Sequence, residues 1–212
     1  MNKYGKNERT KNLVIMSVFT SIIIIQTLVP FLGFIPLGVM NATIIHITVI
    51  IGAIMLGPKY GAGLGLVFGL CSMWKNTFMP NPTSFVFSPF TLGINGYSGG
   101  YRSLIVCLLP RVLIGVSAYY VYSFFQKLNK RYLGLLMAGV VGSMVNTILV
   151  MSGIYLLFAE QYALATNKAV ESLIFFIIGI IGMQGVPEAI VSSLITFAVA
   201  GSLLKYKKSL ET

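Results

Sequence analysis

The feature that most constrains this chain is a series of six long apolar stretches separated by short polar segments. They lie at about 12–34, 40–57, 60–74, 103–126, 133–157 and 172–204. A helix crosses the hydrocarbon core of a bilayer with roughly 20 apolar residues. Only 9% of the residues are charged, whereas soluble domains carry about 25%. The sequence therefore predicts an all-α integral membrane protein, one six-helix transmembrane domain over 1–212, and excludes a soluble enzyme.

The basic residues fall mainly on alternate connecting segments. With the N-terminus placed inside, eleven of the 15 Lys and Arg residues lie on inside segments, three lie on outside loops, and Arg111 lies within the fourth stretch. Cytoplasmic loops of membrane proteins carry an excess of Lys and Arg. This distribution predicts that both termini are cytoplasmic and that the long segment 75–102 is external. It also accounts for the net charge of +10, so membrane lipid rather than nucleic acid is the expected surrounding.

The sequence lacks the residue patterns of an enzyme or a metal site. His46 is the single histidine and there is no Asp, which excludes a Ser-His-Asp triad and argues against a histidine-based metal site. No G-x-x-x-x-G-K-[ST] segment occurs, so the chain has no such loop for binding the phosphates of ATP. We expect no catalytic activity, no cofactor and no metal ion.

Polar side chains within or beside the apolar stretches are the candidates for a substrate-binding site. A charge near the centre of a bilayer costs about 2.5–3.5 kcal/mol, so such a residue marks a function by default. Arg111 and Glu188 qualify. They either pair with each other and hold the bundle together, or Arg111 binds an anionic ligand group through two parallel hydrogen bonds. The further candidates are Trp74, Asn76, His46, Asn146 and Gln184.

These further candidates also have structural interpretations. Trp74 is either an anchor at the membrane interface or a pocket wall, and His46 is either a packing residue or a ligand group. The amides either bridge helices or bind the ligand. The segment 75–102 is predicted to cover the site as a packed lid, because it carries many aromatic residues, namely Phe78, Phe85, Phe87, Phe90, Tyr97 and Tyr101.

Small residues recur at four-residue spacing in three stretches, the first, the third and the fifth (Gly134, Ala138 and Gly142), which lets helix backbones approach closely. Ser17 and Ser21 show this spacing in the first stretch, and Gly61, Gly65 and Gly69 show it in the third. Such a stripe packs either within the bundle or against a partner. A first helix is more often peripheral, so Ser17 and Ser21 are the better candidates for a partner surface, with Gly61 and Gly65 next.

Three segments carry a resemblance to a known family: IPLGVMNATIIHITVIIGAIMLGPKYGAGLGLVFGL at 35–70, RVLIGV at 111–116 and GVPEAI at 185–190. The chain resembles the S components of energy-coupling factor (ECF) transporters, and most of all the pantothenate-specific type. The resemblance covers nearly the whole chain. It implies a vitamin-binding subunit of the bacterial cytoplasmic membrane, with the substrate occluded near the outer face by spans 4–6 and external loops.

The resemblance also implies partners, namely a transmembrane coupling subunit and two cytosolic ATPase subunits. The family's A-x-x-x-A motif contacts the coupling subunit, and Ser17 and Ser21 occupy its places here. Pantothenate, a small anion with two hydroxyls and an amide, is matched by Arg111, Asn146 and Gln184. An S component for folate or riboflavin, a gradient-driven transporter using Glu188 as a proton site, and a membrane enzyme or assembly factor using Glu188 and His46 remain alternatives.

Overall fold

The computed structural model describes residues 3–29, 32–37, 40–93 and 96–211, and side chains within 8–29, 32–33, 43–93 and 96–206. Its helices are α1 (Lys3–Leu28), α2 (Ile45–Leu56), α3 (Pro58–Phe78), α4 (Gly100–Lys127), α5 (Arg131–Ala165), α6 (Leu173–Ile180) and α7 (Val186–Glu211). A π-helical turn, Ile181–Gly185, joins α6 to α7 without a break. The strands β1 (Phe34–Leu37) and β2 (Met40–Thr43) form an antiparallel hairpin.

Among the residues that the structure describes, four helical segments are long and apolar enough to cross a membrane. They are α1, α4, α5 and the continuous α6–α7 segment. The fold is therefore that of a helical membrane protein. We call one end of the bundle the hairpin end. There the hairpin joins α1 to α2, and the loop 79–99 follows α3.

The second apolar stretch differs most from the prediction. It was expected to be helical over about 40–57, but residues 40–43 form β2, and α2 has only 12 residues. At 1.5 Å per residue α2 is about 18 Å long, well short of the ~30 Å hydrocarbon core. The hairpin thus directly precedes α2, and its second strand occupies residues that the prediction placed in a helix.

The other helices extend beyond their predicted limits. α1 begins at Lys3, α3 continues to Phe78, and α5 continues to Ala165. Within α5 the backbone departs from helical geometry at Phe158, with φ −139° and ψ 20°. Residues after this point form an extension that packs at the hairpin end, where Phe158 is fully buried.

α2 is the central helix of the bundle. It contacts α1, α3, α4, α5 and α7, and all of its residues from Ile45 to Ile54 are buried. This follows from its sequence, which is apolar on every side apart from His46 and Thr48. Any polar group near the start of α2 therefore lies in the interior of the protein.

The glycine stripe of α3 packs against α4. A Cβ atom on Gly65 would overlap the carbonyl oxygen of Arg111, and one on Gly115 would overlap the carbonyl oxygen of Gly61. Gly61 and Gly65 are both buried. This corrects their assignment to a partner surface, because α4 already occupies that face. The alternative interpretation, packing within the bundle, is the one that the structure bears out.

Replacing Gly65 with alanine should separate α3 from α4 and lower stability. The new methyl group would meet backbone atoms of Arg111, which cannot rotate away, so we expect a loss of about 1–3 kcal/mol in the free energy of unfolding. Gly179→Ala is the matched control, because its new methyl group would meet no neighbouring atom within 4 Å. Melting in detergent measures both variants, and equal stability of the two would contradict the close α3–α4 contact.

Candidate substrate-binding site

Three buried polar residues from three helices converge towards the hairpin end of the bundle. A Cβ atom on Gly142 of α5 would lie 2.6 Å from Cδ1 of Ile50 in α2 and 3.4 Å from Cβ of Ala118 in α4. His46 and Asn146 lie one helical turn from this contact, and Arg111 lies two turns from it, on the same helix faces. We call His46, Arg111 and Asn146 the polar site.

Arg111 is held in place by a backbone carbonyl and two aromatic rings. Its Nη1 donates a hydrogen bond of 2.9 Å to the carbonyl oxygen of Val106. Its guanidinium carbon lies 5.6 Å from the ring centre of Phe68 and 5.1 Å from that of Phe87. Both are within the range of cation–π attraction. The side chain is only 5% exposed, so these contacts fix its position in the interior.

Pro110 explains why the Val106 carbonyl is free to bind Arg111. In a regular helix the N–H of residue 110 would donate to the carbonyl of residue 106, but proline has no N–H. The freed carbonyl accepts from the arginine side chain instead. Pro110 thus leaves the Val106 carbonyl without its helical donor, and the next residue, Arg111, supplies a donor from its side chain.

The polar site holds hydrogen-bonding atoms that the described residues leave unpartnered. They are Nε of Arg111, Oδ1 of Asn146 and both ring nitrogens of His46. The His46 ring faces the backbone of Thr43 and lies near Arg111. Each buried unsatisfied group costs about 1–3 kcal/mol. Native proteins keep few of these, and they generally mark a place for a ligand or an ordered water. The site thus offers both donors and acceptors next to the Arg111 guanidinium.

Glu188 does not pair with Arg111. Its Oε1 accepts one hydrogen bond from the backbone N–H of Thr43 at 3.1 Å and another from Nε2 of Gln184 at 3.3 Å. Among the described residues, no carboxylate lies within ion-pairing distance of the Arg111 guanidinium, whose hydrogen bond goes to Val106. The structural interpretation of an Arg111–Glu188 pair is therefore wrong. Glu188 and Gln184 lie beside β2, near the start of α2.

Trp74 lies on a different surface from the polar site. It is 41% exposed, and its ring centre lies 5.2 Å from that of Phe78. Together with Leu28 of α1 and Leu70 of α3 it lines an almost entirely apolar groove of about 470 Å³. Trp74 thus lines this apolar groove and not the polar site, and its role as an interfacial anchor stays a prediction.

Asn76 holds the loop that follows α3. Its Nδ2 donates to the carbonyl oxygen of Ser72 at 2.8 Å, and its Oδ1 accepts from Oγ of Ser84 at 2.8 Å. Its backbone carbonyl accepts from Oγ1 of Thr91 at 2.9 Å. Both ends of the amide are thus engaged within the chain, which gives Asn76 a structural role at the edge of the site.

The described parts of the loop 79–99, residues 79–93 and 96–99, pack against the bundle, as their aromatic content predicts. Phe85 is 1% exposed and forms edge-to-face contacts with Tyr97 and Phe158, with ring centres 5.9 Å apart in both cases. Oγ of Ser103 donates to the Phe85 carbonyl oxygen at 2.6 Å. Three of the six aromatic residues are exposed instead: Phe78, Phe90 and Tyr101.

Sequence reasoning missed Phe68 and Pro110. Phe68 lies between Gly65 and Gly69 on the buried face of α3, so the glycine spacing was a signal that this residue meets α4. Pro110 was visible directly before Arg111. Phe87 was identified as part of the lid, but its contact with Arg111 required the structure.

A buried polar site beneath a packed loop, within a membrane-type helical bundle, is suited to holding one small polar molecule. Residues 11–200 match the family described as ECF transporter, substrate-specific component. The match covers most of the chain, which therefore belongs to this family. The protein is a transporter component rather than an enzyme, and the resemblance seen in its sequence motifs is confirmed.

Two relatives are similar over almost their whole length. The pantothenic acid transporter PanT of Lactococcus lactis subsp. cremoris is 32% identical over 205 residues, which cover 96% of this chain and 99% of the relative. The pantothenate transporter PanT of Leuconostoc mesenteroides subsp. mesenteroides is 31% identical over 208 residues, which cover 93% of this chain and 94% of the relative.

Independent environments of Arg111 and Glu188 predict additive effects of mutation. Arg111→Gln and Glu188→Gln should show none of the ~3–5 kcal/mol coupling of a broken buried ion pair, because the two side chains share no direct hydrogen-bond partner. Unfolding of the two single variants and the double variant in mixed detergent measures this. If the double variant is more stable than the sum by about 3–5 kcal/mol, the value expected for a broken buried ion pair, the two residues are coupled after all.

Proposed function

We propose that this chain is the pantothenate-binding S component of an ATP-driven vitamin importer, and that Arg111 binds the carboxylate of pantothenate. The observation that carries the proposal is the buried Arg111 guanidinium, which no carboxylate among the described residues neutralises. A guanidinium presents its N–H groups in a planar fork that matches a carboxylate. The names of the two relatives support pantothenate as the anion.

The rest of the polar site suits the uncharged part of pantothenate. Oδ1 of Asn146 accepts a hydrogen bond, and a neutral imidazole at His46 offers one donor and one acceptor. The amide and the two hydroxyls of pantothenate carry the complementary groups. Riboflavin has no carboxylate to offer Arg111, and folate has two, whereas the described residues place one arginine in the site.

We also propose the membrane arrangement. The six crossings are α1, the hairpin with α2, α3, α4, α5 and the α6–α7 segment, within one substrate-binding domain of the bacterial plasma membrane. Both termini are cytoplasmic, since eleven basic residues then lie inside and three outside. The hairpin end, with the loop 79–99, faces outwards, where a substrate arrives.

The carboxylate contact can be tested with two ligands and two arginine variants. Arg111→Gln should weaken pantothenate binding about 10- to 150-fold, because a hydrogen bond to a charged group is worth about 1.5–3 kcal/mol. Pantothenol, in which an alcohol replaces the carboxylate, should bind the wild-type chain more weakly than pantothenate and should be little affected by Arg111→Gln. Calorimetry on the purified chain measures both affinities.

Arg102→Gln is the matched control, because Arg102 lies on the same helix but is exposed. It should bind pantothenate as the wild type does. If the Arg111 variant still prefers pantothenate to pantothenol by the wild-type factor, Arg111 does not hold the carboxylate. If the wild type binds riboflavin or folate and not pantothenate, the vitamin is wrong.

The proposed partners are a transmembrane coupling subunit and two cytosolic ATPase subunits, which supply the energy for uptake. Ser17 and Ser21 fit a partner surface on α1, since both are exposed and small. Their hydroxyls donate to carbonyl oxygens of their own helix, Val14 and Ser17, so they need no further partner. A second helix can therefore approach this face without leaving a polar group unsatisfied.

Ser17→Trp should prevent assembly with the coupling subunit while sparing pantothenate binding, because the large ring keeps the two backbones apart. Ile190→Trp, on an exposed position of α7, is the matched control and should assemble normally. Pull-down of the partner and calorimetry on the same preparation measure the two effects. Normal assembly of Ser17→Trp would place the partner surface elsewhere. Uphill uptake by vesicles containing this chain alone would favour a gradient-driven transporter.

A further inference from the structure

The hairpin is joined to α7 through the backbone N–H of Thr43. β2 pairs with β1 in antiparallel register, with Phe34 opposite Thr43, and the next N–H, that of Ile44, donates to the carbonyl of Gly33 at 3.0 Å. Because N–H groups alternate in direction along a strand, the N–H of Thr43 points away from β1. Thr43 is only 8% exposed, so this donor needs a partner inside the protein.

Glu188 supplies that partner from a position 145 residues away in the sequence. Its Oε1 accepts the Thr43 hydrogen bond at 3.1 Å. Glu188 lies in the first turn of α7, directly after the π-helical turn and Pro187. The same oxygen accepts from Gln184, four residues earlier, which restrains the carboxylate on this side of the helix.

Thr43 is also bonded to the first residue of α2. Oγ1 of Thr43 accepts from the N–H of Ile45, the first residue of α2, at 3.4 Å. His46 follows directly. A displacement of Thr43 would therefore move the imidazole relative to Arg111 and Asn146, which lie on other helices.

We propose that Glu188 is a positioning residue: its carboxylate fixes the hairpin to α7 and thereby holds His46 in the substrate-binding site. It accepts a hydrogen bond from the backbone, and it neither touches the substrate nor transfers a proton. The inference concerns the site named under the proposed function and rests on that function for its ligand. Its structural part, the protection of the Thr43 amide by Glu188, does not depend on any ligand.

Two substitutions of Glu188 distinguish a role as a hydrogen-bond acceptor from a role as a negative charge. Glu188→Gln keeps an acceptor oxygen at the same position, whereas Glu188→Met keeps the length of the side chain and removes the acceptor. We expect pantothenate affinity to fall by up to about 10- to 150-fold in Glu188→Met, because losing a hydrogen bond to a charged group can depopulate the binding-competent conformation by at most that factor, and by about fivefold or less in Glu188→Gln. Glu160→Met, at an exposed position of α5, is the matched control and should bind normally.

Hydrogen exchange without ligand tests the structural part separately. Peptides covering 40–46 should exchange faster in Glu188→Met than in the wild type, and Glu188→Gln should retain most of the protection. Similar melting temperatures of the Gln and Met variants would show that a general loss of stability does not cause the difference. If Glu188→Met does not fold, the comparison of Glu188→Gln with the wild type still applies, because a role in charge or proton transfer predicts a large loss there.

The outcomes distinguish the two proposals. If both Glu188 variants lose affinity equally while the amides stay protected, the carboxylate acts on the ligand or a proton, and the positioning role is overturned. Unchanged exchange and affinity in Glu188→Met would also overturn it. If the wild type fails to bind pantothenate but the exchange pattern is as expected, the vitamin is wrong and the link between Glu188 and Thr43 stands.

Discussion

The buried charge of Arg111 is the constraint on which the site depends. Removing a guanidinium from water costs several kcal/mol, and an uncompensated one is strongly destabilising. Here the compensation comes from the Val106 carbonyl and from the faces of Phe68 and Phe87. Gly65 makes this arrangement possible, because α3 comes close enough to the Arg111 backbone for Phe68 of the same helix to reach the side chain. The guanidinium has no carboxylate partner among the described residues, and this is the basis for proposing an anionic ligand.

Two prolines create the irregular backbone of the site. Pro110 removes one helical hydrogen bond in α4, and the freed carbonyl is taken by Arg111. Pro187 removes another, and the preceding backbone widens so that the N–H of Val186 donates to the carbonyl of Ile181, five residues earlier. π-helical turns of this kind often accompany functional sites. In both places the residue after the proline, Arg111 or Glu188, carries a charge into the bundle.

The central position of α2 connects the site to the fold. Because α2 is central and the hairpin directly precedes it, the polar start of this helix lies inside the bundle. The unsatisfied groups of His46 and Asn146 reduce stability, and the apolar contacts of Ile50, Leu64 and Ile114 in the core around α2 offset that loss. A rigid apolar core thus holds a few polar groups ready for a ligand, which lowers the ordering cost of binding.

The sequence by itself determined the class of protein, the apolar stretches and the candidates Arg111, Asn146 and His46. A bilayer permits few charged or polar side chains, so each one within an apolar stretch is informative. It did not determine the β2 strand, since residues 40–43 run directly into the apolar residues of α2 with no Gly or Pro between them. Nor did it decide between the interpretations of Gly61 and Gly65, of Trp74 or of Glu188. Those outcomes depend on contacts such as that between Thr43 and Glu188, 145 residues apart. Hydropathy is a property of each segment alone, whereas the identity of a neighbour is decided only when the helices pack.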